Sequence, residues 1–98
     1  MKFEWHESKN QSNKRKHGIL FTEALSIFSD PFILSKYDKD HSAENEDRWN
    51  SIGEASANAV LMVVHLVRED ENKIRIISAR KATNNEKKMY YYRREKLI

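Results

Sequence analysis

The residues best suited to chemistry are cations at the ends of apolar runs. Arg68 closes one run. Arg80 closes the next and is followed by Lys81, within RIISARKAT at residues 75–83. A second cluster, Lys14-Arg15-Lys16-His17, stands just before Gly18. An arginine fork grips phosphate with two parallel hydrogen bonds and stays charged. Cutting an RNA strand from its own 2′-hydroxyl needs such cations to hold the pentacoordinate phosphate. It also needs one group to take a proton and another to supply one. Histidine, lysine or glutamate can do the proton work. Each cation also has a plainer use. The 14–17 cluster suits a helix C-terminus, where the dipole favours positive charge by about 0.3–1 kcal/mol. Arg80 could be held in a salt bridge with Glu46 or Glu86.

Other chemistries find less support. The histidines His6, His17, His41 and His65 form no HxxxH or HExxH pair, so a metal site is not expected. Asp38, Asp40 and His41 could meet a hard cation, but an acidic loop is more often simply solvated. There is no cysteine, and with two glycines no phosphate-cradling loop. No cofactor is expected.

The elements that must position these residues can be read from the pattern. KFEW at 2–5 reads as a short strand with Phe3 and Trp5 on one face. A polar helix runs from Glu7 to about Lys16 and stops at Gly18. Thr22 is the expected N-cap of a second helix to about Ser29, burying Phe21, Leu25 and Phe28 until Asp30-Pro31 ends it. Phe32–Tyr37 and a charged loop follow. Three strands are then expected over 48–54, 59–68 and 73–80, with antiparallel hairpins between them. The nearly all-apolar Val60–Val67 should be central. Two-residue alternation places Arg80 on the face of Ile74 and Ile76, with Arg75 and Lys81 on the other. Thr83 and Glu86 have capping-box spacing and start a last helix to about Lys96, in which Tyr90 and Leu97 share a side. The fold class is α+β: a small antiparallel sheet packed by two N-terminal helices and one C-terminal helix.

Length and charge are consistent with this. A chain of 98 residues suggests one domain over 1–98. The N-terminus does not read as a signal peptide, and no run is long enough to span a bilayer. The ends are basic and the middle acidic. Residues 68–98 hold ten Lys and Arg against five acids, whereas 36–48 hold three against five. A basic end can steer a polyanion.

The segment W-H-E-S-K-N-Q-S-N-K-R-K-H-G-I-L-F at 5–21 resembles the opening of BrnT-type toxins. Asp30-Pro31, Glu46 with Arg48-Trp49, Ile52-Gly53, Arg68, RIISARKA at 75–82, Glu86 and Tyr90 agree in order. The two specific motifs are N-x-x-K-H-G-x-x-F and R-I-I-S-A-R. The resemblance implies a cytoplasmic toxin of a bacterial type II toxin–antitoxin pair, with a fold similar to RelE-like ribonucleases. Its implied activity is metal-independent RNA cleavage that stops translation. The implied partner is a ribbon-helix-helix antitoxin (BrnA-like), with operator DNA reached only through the complex.

Carried over by motif, Arg68 and Arg80 are the expected phosphate-binding catalytic residues, with Lys16 and His17 beside them. Lys9, Lys14, Arg15, Glu46, Arg48 and Lys81 are the expected RNA contacts. One departure is His6, where the family usually has Asp. Two other readings remain: an inactive antitoxin-binding module, and a plain RNA-binding domain. The aromatics Trp5, Trp49 and Tyr90–Tyr92 make no ribonucleoprotein-type stacking motif.

Overall fold

The computed structural model describes residues 2–44 and 46–98. Its elements are β1 (Lys2–Glu4), α1 (Glu7–His17), α2 (Phe21–Leu25), β2 (Leu34–Tyr37), β3 (Asp47–Glu54), β4 (Val60–Arg68), β5 (Lys73–Lys81) and α3 (Asn84–Leu97). Short 3-10 turns cover Ser26–Ser29 and Glu69–Glu71. This order is the one expected. The five strands lie as β1-β5-β4-β3-β2, so apolar β4 is central. The sheet is mixed rather than antiparallel, because β1 pairs parallel to β5 with Phe3 opposite Ile74. The short turns predicted the hairpins, but β1 is separated from β5 by two helices and three strands, so no tight turn fixes its sense against β5.

The two faces of the sheet differ. One is covered by α1, α2 and the turn after it. Phe21, Ala24 and Ile27 are fully buried there with Leu61, Val63, Ile76 and Ala79. The helix N-cap is Leu20, not Thr22, and Leu25 and Phe28 only flank this core. The expected stripe was offset because a five-residue helix running into a 3-10 turn does not hold a 3.6-residue period. The other face is covered at one end by α3, where Tyr90 is buried against Ile52, Val60 and Ala82. Leu97 lies beyond that contact and is 54% exposed.

Two details anchor this frame. Gly53 faces Ile27, and a Cβ there would stand 2.9 Å from the Ile27 Cβ. Asp30 accepts hydrogen bonds from the Glu54 and Phe32 N–H groups and from the Tyr90 hydroxyl. Burial works against the Asp30 carboxylate, but these bonds outweigh it and hold its pKa below the usual range. Burial and the Asp30 contact push Tyr90 up to about 12.

Candidate active site

A β-bulge decides which side chains meet. Val64 pairs with Ser78 but His65 pairs with Ile76, so Ile77 is an extra residue in β5. The bulge overturns the simple alternation. Ile74 and Ile76 point into the α1/α2 core with Ala79, and Arg80 stands on the opposite face. Arg75, expected across from Arg80, shares its face. Arg68 joins them through the unbroken alternation of β4, whose Leu61 and Val63 face the core.

Beside α3 and beyond it, that face carries rows of cross-strand partners. One row is Leu34, Ile52, Met62 and Arg80; the next is Lys36, Asn50, Val64 and Ser78. Further along, Arg48, Leu66, Arg75 and Glu4 align, and then Arg68, Lys73 and Lys2. The result is an open surface strewn with cations.

Arg80 is held by Glu86. Its Nη1 donates to Oε1 at 2.7 Å and its Nη2 to Oε2 at 3.0 Å. Nη1 also donates to the Lys81 carbonyl at 3.2 Å. Glu86 is itself fixed, since it completes the capping box that starts α3 and accepts from the Thr83 N–H at 2.8 Å. The Arg80 hydrogen bond lowers the Glu86 pKa, and the same bond raises that of Arg80. Among the described residues three of the five guanidinium donors are thus used. The remaining two, on Nε and the near side of Nη2, form the lateral fork that suits a phosphate.

Arg68 is placed differently. It donates to Glu46 at 3.1 Å and lies 3.8 Å from Glu71, while its buried Nε has no partner among the described residues. Met62, the cross-strand partner of Arg80, lies six residues before Arg68 along β4, which is roughly 20 Å of strand. The two arginines share a face but do not converge on one phosphate.

The α1 cations approach from the edge of β5. Beyond residue 75 that edge has no β1 partner, and Asn13 takes the strand's place. Its Oδ1 accepts from the Ala79 N–H at 3.0 Å, and its Nδ2 donates to the Ala79 carbonyl at 2.8 Å. This lays Lys9, Lys16 and His17 along a groove of about 160 Å³ with Ile77 and Ser78. Ser78 is two residues from Arg80 on the same face, roughly 7 Å along the strand. Lys16 and His17 thus line the β5 edge next to Ser78, while Arg80 stands further along the same strand.

The other expected contacts scatter. Lys14 donates to the Gly18 carbonyl and Arg15 to Ser12, as a helix C-terminus would use them. Lys81 lines a separate recess with Lys87 and Tyr91. Glu46 is the partner of Arg68, while Arg48 sits on the open face opposite Leu66. In the acidic loop, Asp38 hydrogen-bonds His41 at 2.9 Å. Among the described residues no group of three His, Asp or Glu could hold a metal.

Sequence reasoning missed Lys36, Asn50, Met62 and Ser78. They enter the site only through strand register, which the spacing of residues does not reveal.

Comparisons with known proteins agree with the mixed α+β fold. A family model described as the ribonuclease toxin BrnT of type II toxin–antitoxin systems matches residues 5–86. The crystal structure of the Brucella abortus ribonuclease toxin BrnT superposes with a TM-score of 0.58 at 25% identity, over 86% of this chain and 99% of that one. No curated protein matches the sequence.

Proposed function

Because the chain belongs to the family of BrnT ribonuclease toxins of type II toxin–antitoxin systems, we propose that it cuts RNA on the open face of its sheet, around Arg80. The observation that carries this reading is the Arg80 guanidinium, held end-on by Glu86 so that its lateral N–H donors are left for a phosphate. Lys16 and His17, which line the groove at the β5 edge with Ser78, are the groups we propose to meet a phosphate on that fork.

In the proposed reaction a base takes the 2′-hydroxyl proton and the oxygen attacks its own phosphorus. The 5′-oxygen leaves with a proton, giving a 2′,3′-cyclic phosphate and a 5′-hydroxyl end. His17 is the proposed proton carrier. Arg80 and Lys16 stabilise the charge that builds on the phosphate. Arg68 with Arg48, Arg75 and Lys73 holds the strand further along the face. Cations take the place of a metal in this reaction, so cleavage should survive a chelator.

Membership of this family implies an antitoxin partner. We propose that it is of ribbon-helix-helix type, that operator DNA is bound through the complex, and that cleavage stops translation in the cytoplasm. No helix is long and apolar enough to cross a membrane among the described residues. A ribonuclease family does not favour the inactive-module reading. Expression tests the proposal: the wild type should arrest growth, Arg80→Ala should not, and purified protein should cut RNA in EDTA. Growth arrest by Arg80→Ala equal to wild type would remove Arg80 from the chemistry.

A further inference from the structure

The end of the open face nearest α3 forms a pocket of about 470 Å³. Its floor is the cross-strand row Leu34, Ile52, Met62, which ends at Arg80. Its wall is Glu86 and Met89 of α3, and its far edge is Lys36 and Asn50, directly opposite each other on β2 and β3. None of the described ion pairs involves Lys36. The floor is therefore apolar, one side carries an ammonium and an amide, and the end carries the phosphate fork described above.

We propose that this pocket holds one unstacked base of the RNA, and that the base is guanine. The inference rests on the reading of the open face as the RNA-cutting surface. Single-stranded RNA is read by splayed bases, lying on apolar or aromatic side chains with their edges hydrogen-bonded. Ile52 and Arg80 are two strands apart, roughly 10 Å, which a nucleotide spans from base to phosphate. Size alone admits any base, so the edge decides. Lys36 offers donors only, and Asn50 can turn its amide to donate beside it. Guanine presents two adjacent acceptors, N7 and O6, so both groups can donate to it, whereas adenine sets an N6–H donor beside N7 and leaves the ammonium that one acceptor. Met62 and Met89 suit the ring face, being polarizable and free to adapt. The pocket would thus choose the base while Arg80 holds the phosphate next to it.

Titration of the purified toxin with guanosine, adenosine, cytidine and uridine 3′-monophosphates tests this without requiring cleavage. Methyl resonances of Ile52, Met62 and Met89 should shift and saturate with the guanosine nucleotide at a concentration at least tenfold lower than with the others. Asn50→Ala and Lys36→Ala should each erase that tenfold advantage while still binding. In parallel, cut sites in a random-sequence RNA should carry guanine at one fixed position, with the enrichment lost in the same two variants. Methyls unmoved by the guanosine nucleotide, equal affinity for all four, or an advantage that survives both substitutions would overturn the pocket. If RNA is cut while the methyls stay still, the pocket is wrong and the ribonuclease reading stands. If the methyls shift but no RNA is cut, the pocket stands and the proposed chemistry falls.

Discussion

Glu86 grips Arg80 end-on, at 2.7 and 3.0 Å, and leaves the side of the guanidinium open. The pair thus positions a cation without consuming it. Lysine keeps the charge but has no fork. Arg80→Lys should therefore fold and still lower the cleavage rate by about 10²-fold, the loss typical of removing one transition-state donor. Single-turnover cleavage with saturating enzyme measures it; a rate within a few-fold of wild type would leave the fork without a role.

Arg68 should behave otherwise, being roughly 20 Å of strand away from Arg80. Arg68→Ala should weaken RNA binding and reduce its salt dependence by about one counterion, with the single-turnover rate at saturation changed by less than about tenfold. A 10²-fold loss of that rate would place Arg68 at the reacting phosphate and refute the distance argument.

Acid should destabilise the protein in a window set by His65. This side chain is buried, with Nε2 2.7 Å from the Ser51 hydroxyl, and burial pushes its pKa down from 6.5 to about 4. The folded state keeps the ring neutral while the unfolded chain takes up a proton. Stability is therefore full above 6.5 and lost as pH falls toward 4, by about 3 kcal/mol across the window. Melting temperatures measured through this range should drop steadily in the wild type, and His65→Gln should flatten the slope. An unchanged slope would assign the loss to other groups.

The start of α1 can be improved. His6 is its N-cap and makes no side-chain capping bond. His6→Asp should add about 0.5–2 kcal/mol and raise the melting temperature by roughly 4–8 °C per kcal/mol. A fall would show that His6 makes a contribution that capping does not describe.

Gly53→Ala should cost about 1–3 kcal/mol through overpacking, since its Cβ would meet the Ile27 Cβ at 2.9 Å. Chemical denaturation checks this, and a loss below about 0.5 kcal/mol would mean that the turn after α2 yields freely.

Much of this was legible in the sequence because local rules decided it. Gly18 takes the left-handed conformation with φ of 74°, and Thr83 with Glu86 forms the full capping box. The motif N-x-x-K-H-G-x-x-F also has a physical account, since Asn13 docks α1 and Phe21 fills the core. What stayed hidden depended on pairing. The parallel partner of β1 lies far along the chain, and Ile77 looks like any other apolar strand residue. One unpaired residue moved Arg80 off the face of Ile74 and Ile76 and onto the face of Arg75. The site was legible as residue types but not as an arrangement.

The parallel pairing of β1 with β5 also bears on when the protein becomes dangerous. A ribosome releases Lys2–Glu4 long before Lys73–Arg75, so the first strand must wait for its partner. Arg80 follows on that same late strand, and Glu86 later still. A nascent chain therefore carries no assembled open face during most of its own synthesis, and the message that encodes it is read past Glu86 before that face can form.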